Sequence, residues 1–450
     1  MRRVITYGTY DLLHQGHINL LQRAKALGDY LIVGVTTDYF DQERGKLNVR
    51  ENLMDRIENI RRTNLADQII IEEYVGQKID DIQKYNVDIF AIGSDWVGKF
   101  DYLNEYCRVV YLPRTEGISS TILRSQMQEE TTIGIIGSGR MARRFINESE
   151  SINGLIVHSV YNPNLEEAQN FAEATPSQVA LCAESNFDHF IRQVDAVYIA
   201  TPHITHNEYI RNAVLHRKHV LCEIPLVLES GQYRELAKLA KENEVVLMEA
   251  NKTAFCPAFG HLITLIKSGT IGDIVDIDAS ISSLVDTHGR EMDPKQAGGS
   301  VTENISFALL PIFKLLGTNY SDIRFLSKMK NGVDIYTRGY IVYDSALASF
   351  KLGLGVKTEG NLIVSGTKGY AYVPAPWWKT DYFELRYEDI NKNKKYFYSY
   401  DGEGLRYEIK EFITCIQNKR FFSPKLRSLE SLAMSDIIEK YREGYNTTIL

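Results

Sequence analysis

Apolar positions in the first 250 residues fall into short β-branched runs separated by stretches with helical spacing. Val4-Ile5-Thr6-Tyr7 runs into Gly8, and Leu12, Leu13, His17, Leu20, Leu21 and Ala24 then recur at helical intervals before a second strand over 30–35. The order repeats further on: a strand over 132–136 enters Gly137, a helix passes through Met141, Phe145 and Ile146, and a strand follows over 156–161. Strands alternating with helices predict parallel sheets made of right-handed βαβ units, so the chain reads as α/β. Beyond Asn251 the strands lengthen and alternate polar with aromatic positions, as at 274–284, 338–350 and 382–386. That texture predicts an α+β region with a mixed or antiparallel sheet. The expected domains are 1–128, 131–251 and 252–450. Residues 125–130 between the first two are polar but poor in Gly and Pro, unlike a flexible linker.

Composition narrows the function classes. The 450 residues are 44% hydrophobic and 24% charged, as in ordinary globular proteins, with a net charge of -7. Up to residue 130 there are 16 basic and 20 acidic residues, and afterwards 35 and 38, so neither part has the basic excess of a nucleic-acid binder. A phosphate ligand would have to be held by local cations and backbone N–H groups. The five cysteines, Cys107, Cys182, Cys222, Cys256 and Cys415, are scattered and never spaced C-x-x-C, which argues against a disulfide framework or zinc site. The absence of a long apolar run predicts no signal peptide and no membrane span, and hence a cytoplasmic protein.

The first candidate site lies in Gly8-Thr9-Tyr10-Asp11-Leu12-Leu13-His14-Gln15-Gly16-His17. Imidazoles three residues apart share a helix face, and a helix N-terminus attracts phosphate. There they can donate to the charge that builds on a phosphorus under attack. Gly16 between them allows a nucleotide close. A bare H-x-G-H could equally be a turn histidine beside a core histidine. Its place after the first strand of an α/β sheet, where such folds bind ligands, favours the chemical reading.

This segment resembles the signature of the H-x-G-H nucleotidyltransferases, and Arg114-Thr115-Glu116-Gly117-Ile118-Ser119-Ser120-Thr121 resembles the second signature of the glycerol-3-phosphate cytidylyltransferases. The likeness covers residues 1 to about 125. It implies a Rossmann-like domain that transfers CMP from CTP, with Mg²⁺, to a small polyol phosphate. The products would be pyrophosphate and a CDP-polyol for a surface polymer such as teichoic acid or capsule. By the same resemblance Thr9, Tyr10, Asp11, Gly16, Arg114, Thr115, Gly117, Ile118, Ser119, Ser120 and Thr121 would bind CTP. His14, His17 and Lys46 would be catalytic, and Arg44 and Lys78 would hold the acceptor phosphate. Asn64 stands where the family has the arginine of an R-Y-x-D pattern, with Arg61 and Arg62 before it and Asp67 retained. That departure loosens the identity of the acceptor. Asp95-Trp96 also matches, either as a folded loop with a buried Trp or as a contact to the base.

The second candidate site is Gly137-Ser138-Gly139-Arg140-Met141-Ala142, a G-x-G-x-x-A turn between strand and helix that would admit a pyrophosphate. An acidic ribose ligand is expected at the end of the next strand, but that strand ends in Tyr161-Asn162. Asn162 can hydrogen-bond a ribose, and the cofactor is expected to be NAD or NADP, with NAD favoured. With Thr201-Pro202, His206 and Glu223-Ile224-Pro225, residues 131–450 resemble the oxidoreductases that include glucose–fructose oxidoreductase and inositol dehydrogenase. The resemblance implies a classical dinucleotide-binding Rossmann domain with Gly137, Gly139, Arg140, Met141, Asn162, Thr201, Pro202, His206 and Glu223 around the cofactor, and a homodimer. It also implies a lysine where Ile224 stands and a histidine where Phe307 stands, neither of which can move a proton here. Glu303 keeps the family's acid.

Two expectations follow. Either Lys252 or His288 supplies the proton and the module reduces a sugar or keto phosphate to the polyol phosphate, or the module is a non-catalytic scaffold or cofactor sensor behind a monofunctional transferase. His203 and His206, lacking a nearby third ligand, are expected to bind no metal. Pro374-Ala375-Pro376-Trp377-Trp378 is expected to cap a sheet or form an oligomer contact, with sugar stacking as the lesser option.

Overall fold

The computed structural model of the chain describes residues 1–43, 49, 51–74, 76–113, 130–152, 154–175, 181–286, 289–400 and 402–450. Two compact units divide at Met1–Glu130 and Thr131–Leu450.

In the first unit the strands β1 (Arg3–Gly8), β2 (Tyr30–Thr36), β3 (Gln68–Glu72), β4 (Ile89–Gly93) and β5 (Arg108–Leu112) form a parallel sheet in the order β3-β2-β1-β4-β5. Alternation along the strands feeds two cores. Val4, Leu31, Val33 and Val35 pack on one face with Leu21, Ala24, Ile57 and Ile60, while Ile5, Tyr7, Ile32 and Phe90 pack on the other with Ile82 and Leu103. Strand order reverses between β1 and β4, so the turn after β1 opens at a topological switch point. The helix after it spans Gln15–Lys25, starting later than Leu12 because His14 caps it.

In the second unit β6 (Thr131–Ile136), β7 (Leu155–Tyr161), β8 (Cys182–Glu184), β9 (Ala196–Ile199), β10 (His219–Glu223) and β11 (Leu247–Ala250) make a parallel sheet in the order β11-β10-β9-β6-β7-β8. A nine-stranded sheet follows, built of β12 (Ile274–Ser282), β13 (Asp322–Lys330), β14 (Val333–Val342), β15 (Leu347–Gly353), β16 (Leu362–Gly366), β17 (Tyr370–Val373), β18 (Tyr382–Arg386), β19 (Lys394–Phe397) and β20 (Thr447–Ile449). It is mixed, since β12–β15 and β13–β20 are parallel and the other pairs antiparallel. The stretch 338–350, expected as one strand, is two antiparallel strands turning through Asp344-Ser345, where Tyr343 N–H donates to Ala346 O at 3.0 Å.

The chain then returns to the dinucleotide half. Helix Leu405–Gln417 packs on helix Arg140–Ser149, and Arg406 grips Glu148 through both ends of its guanidinium at 3.0 and 3.2 Å. Glu148 also accepts from Glu403 N–H at 3.0 Å. This brings a C-terminal helix to the carboxyl ends of β10 and β11. Among the described residues no helix is long and apolar enough to cross a membrane.

Candidate functional sites

The turn after β1 holds two non-glycine residues in the left-handed region, Tyr10 at φ 55° and Leu12 at φ 49°. Such backbone costs of order 1–3 kcal/mol per residue and persists only where the surroundings enforce it. Here they do. Asp11 Oδ1 accepts from Glu51 N–H at 3.0 Å, Glu51 Oε2 accepts from Leu12 N–H at 2.8 Å, and Thr9 Oγ1 donates to Asp41 at 2.8 Å. Tyr10 is buried in the core with its ring edge-on to His17, centroids 5.5 Å apart. Of the residues expected at the nucleotide, Thr9, Tyr10 and Asp11 thus brace the turn from below.

His14 and His17 stack, with centroids 3.9 Å apart and planes 21° apart. His14 Nδ1 accepts from Gly16 N–H at 3.1 Å, so in the neutral ring the proton sits on Nε2, which becomes the donor. The stacked pair caps a helix whose first N–H groups attract anions.

Beneath them lies Arg56, which sequence reasoning missed. It is wholly buried, donating to Thr9 O at 2.7 Å, Thr36 O at 2.9 Å and Glu51 O at 3.0 Å, with carboxylates at Asp38 and Asp41. One guanidinium therefore joins the ends of β1 and β2 to the segment at Glu51. Its signal was a charge within the apolar stripe Leu53, Ile57, Ile60.

Lys78 is buried with its ammonium on Glu72 and 4.7 Å from the Tyr7 ring centroid. Asn64 adopts φ 55° just after helix Leu53–Arg62, a helix-ending position that suits asparagine. Asp67 is structural, accepting from Leu31 N–H at 2.6 Å and from Lys25. Trp96 is 37% exposed, so the expected buried indole is not found there. Arg44, Lys46, Arg114, Thr115, Gly117, Ile118, Ser119, Ser120 and Thr121 lie outside the described residues, as does the Asp95 side chain.

In the second unit a cleft of about 930 Å³ opens at the carboxyl ends of the strands, lined by Ile136, Tyr161, Ala200, Glu223 and Ala250. Gly137 has φ +105°, and a Cβ there would lie 2.7 Å from Ala200 O. A Cβ on Gly139 would meet nothing within 4 Å, so the turn leaves room above the uncapped start of helix Arg140–Ser149. That cradle fits a pyrophosphate. Arg140, Met141, Asn162, Thr201 and Pro202 line the same cleft. His206 is buried beside it with its two ring nitrogens 2.9 Å from Thr201 O and Pro225 O, and burial lowers its pKa to about 4, so the neutral ring donates to one of the two.

Ile224 and Phe307 both face the cleft, so neither expected proton carrier is replaced in place. Glu303 is gripped by Arg290 through two bonds of 2.9 Å and by His203 Nε2 at 2.9 Å. Burial alone would raise its pKa, but these partners hold it at about 2. Glu303 is therefore a fixed carboxylate at neutral pH. His203 and His206 are committed to different partners, and among the described residues no group of three His, Cys, Asp or Glu is arranged for a metal.

Proton chemistry concentrates at the other wall. Lys252 follows β11 and lines the cleft with Glu223 and Glu408, its ammonium donating to Glu403 O at 2.8 Å. Tyr198 donates to Glu223. Burial pushes both carboxyls up and the ammonium down, while Lys252 attracts both. The three groups therefore titrate as one coupled cluster rather than independently. Glu408, fully buried on helix Leu405–Gln417, was also missed, although a glutamate between Leu405 and Phe412 interrupts an apolar stripe. His288 lies outside the described residues. The aromatic cluster divides: Trp377 is buried and donates to Ser280 O at 3.0 Å, whereas Trp378 lines the cleft.

Comparison with known proteins finds a family match in each unit. Residues 5–126 match the family described as cytidylyltransferase-like, and residues 131–251 match the oxidoreductase family with an NAD-binding Rossmann fold. Over 127 residues the chain is 51% identical to glycerol-3-phosphate cytidylyltransferase of Bacillus spizizenii, covering 28% of this chain and 98% of that one. Over 265 residues it is 28% identical to trans-1,2-dihydrobenzene-1,2-diol dehydrogenase of Bos taurus, covering 57% of this chain and 78% of that one. Among solved structures, the 3-ketoreductase KijD10 of Actinomadura kijaniata with NADP and TDP-benzene superposes with TM-score 0.64 at 18% identity, over 71% of this chain and 99% of that one. Levoglucosan dehydrogenase with NADH and levoglucosan gives 0.62 at 16%, over 70% and 97%. The chain belongs to the cytidylyltransferase-like family as a nucleotidyltransferase, and behind that domain it carries a dinucleotide fold of the NAD-binding oxidoreductase family.

Proposed function

We propose that the first unit transfers CMP from Mg²⁺-bound CTP to a small polyol phosphate, glycerol 3-phosphate or a related one, releasing pyrophosphate. The observation that carries this reading is the stacked His14–His17 pair at a helix start, on a turn forced into left-handed backbone. A phosphate oxygen of the acceptor attacks the α-phosphorus of CTP in line. The new P–O bond forms as the bond to the β-phosphate breaks, and the electrons leave with pyrophosphate. His14 Nε2–H and the His17 ring supply hydrogen bonds and positive charge where the α-phosphate gains charge. No protein nucleophile is required. Lys46 and the run Arg114–Thr121 are assigned to CTP and Arg44 with Lys78 to the acceptor phosphate, on the strength of the sequence motifs. The demand for CTP supports a cytoplasmic protein, and the CDP-polyol is suited to building a surface polymer. Purified full-length protein given CTP, Mg²⁺ and a panel of C3 to C6 polyol phosphates is expected to release pyrophosphate with at least one. Release with none of them overturns the assignment.

For the second unit the proposed activity is reduction of a keto or sugar phosphate to the polyol phosphate used by the first. A bound nicotinamide dinucleotide supplies the hydride. Lys252 gives its proton to the substrate oxygen and is reprotonated by way of the neighbouring Glu223 and Glu408 carboxyls. The support is the gathering of three titratable groups at one wall of the cleft, Glu408 fully buried and Glu223 and Lys252 half-buried, which a scaffold has no reason to maintain. Trp378 offers an apolar face to a sugar ring. Lys252→Met should abolish NADH oxidation with phosphoketoses while leaving pyrophosphate release unchanged. A wild-type protein that binds neither dinucleotide would favour the scaffold.

A further inference from the structure

We propose that Glu167 selects a dinucleotide without a 2′-phosphate, NAD(H) over NADP(H), by supplying from a helix the carboxylate that β7 does not end in. The inference rests on the reading of the cleft as a dinucleotide site. In such folds the adenosine ribose lies beyond the end of the second strand, where an acidic side chain accepts from its 2′-hydroxyl. Here that strand is β7, and the residue after Tyr161 is Asn162.

Asn162 is already engaged. Its Nδ2 donates to Ser138 Oγ at 2.8 Å and to Glu167 Oε2 at 2.9 Å, and its Oδ1 accepts from Asn164 N–H at 2.9 Å. With both N–H bonds given away, the amide keeps a single acceptor position. Glu167 has more to offer. Asn164 caps helix Leu165–Ala174 by accepting from Glu166 N–H at 3.0 Å, and this sets the first turn so that the Glu167 side chain reaches back to Asn162 and lines the cleft. Its carboxylate oxygens, bonded at 2.9 Å to Asn162 and at 3.4 Å to Asn164, retain lone pairs for vicinal ribose hydroxyls.

The same carboxylate repels a phosphate on that ribose. Nearby cations are turned to other partners: Arg140 lies 3.6 Å from Glu291, and the Arg143 guanidinium sits 5.5 Å from the Phe171 ring centroid. The fold itself leaves the choice open, since similar structures hold NADP in one case and NADH in another.

The test is binding of NADH and NADPH to the full-length chain, read by calorimetry with CTP in excess to occupy the first unit. Like charges brought together at a binding site oppose binding, so the wild type should bind NADH at least about tenfold tighter than NADPH. Glu167→Gln should weaken NADH and bring the two affinities within about threefold, and Glu167→Arg should favour NADPH. Equal or tighter NADPH binding by the wild type, or an unchanged ratio in Glu167→Gln, overturns the selection and leaves the dinucleotide site standing. Binding of neither dinucleotide overturns the site and this inference together. Glu167 is exposed, so matching circular dichroism is expected in all three proteins.

Discussion

His14 and His17 act as one object because their rings lie face to face, and their chemistry depends on which nitrogen carries the proton. Gly16 N–H occupies His14 Nδ1, which leaves Nε2 as donor. Losing one donor to a transition-state oxyanion typically lowers turnover by about 10²–10³-fold. His14→Ala and His17→Ala are therefore each expected to lower kcat for pyrophosphate release by about that factor, with a smaller change in KM for CTP. The double variant should be little worse than either single one, because residues acting as a unit are strongly non-additive. Steady-state rates of the three variants check this; a simple product of the two losses would mean independent roles. At this scale the sequence spoke clearly through its motif. It marked Arg56 and Glu408 only as charges within apolar helical stripes, whose meaning depends on the strand ends they reach.

Elements were legible wherever a short β-branched run met a glycine turn, since backbone freedom and burial then agree. The two parallel sheets follow from that grammar. Less legible were the boundary between β14 and β15, where an Asp-Ser turn interrupts a continuous apolar alternation, and the helix start at Gln15, which is set by a capping imidazole. The tie between elements is less visible still. Arg56 fastens the ends of β1 and β2 to the segment at Glu51, and no periodicity marks a contact 47 residues away. Removing it leaves the wholly buried Asp41 without that cation. Breaking a buried charge network from one side costs about 3–5 kcal/mol. Arg56→Leu should destabilise the first unit by that amount, and Arg56→Lys should rescue only part, because an ammonium lacks the fork that serves Thr9 O, Thr36 O and Glu51 O together. Pulse proteolysis in urea with cleavage mapped to residues 1–130 measures both. An unaffected midpoint in Arg56→Leu would remove the guanidinium from this account.

In the second unit, three of the buried groups shifted by folding push stability with pH in different directions. Glu249 is pushed up to about 7 by burial, against 4.5 for a free glutamate, so the folded state holds an extra proton between those values. Its contribution is complete below pH 4.5 and is lost as pH rises through 7. His206 is depressed to about 4 from 6.5, so its contribution is complete above 6.5 and is lost as pH falls towards 4. Glu303, held at about 2, contributes fully above 4.5 and loses that only in stronger acid. Between pH 4.5 and 6.5 the contributions of Glu249 and His206 nearly cancel. Glu249→Gln uncouples them. Its amide oxygen can still accept from Leu226 N–H, the 3.2 Å bond made by Glu249 Oε1, while the titration disappears. A shift of that size corresponds to roughly 3 kcal/mol. The variant should match the wild type near pH 4.5 and exceed it by up to about that amount at pH 8. Urea unfolding of the full-length chain at pH 4.5, 6.5 and 8 separates the outcomes, because a variant less stable than the wild type at pH 8 would mean that Glu249 is held there as a satisfied anion.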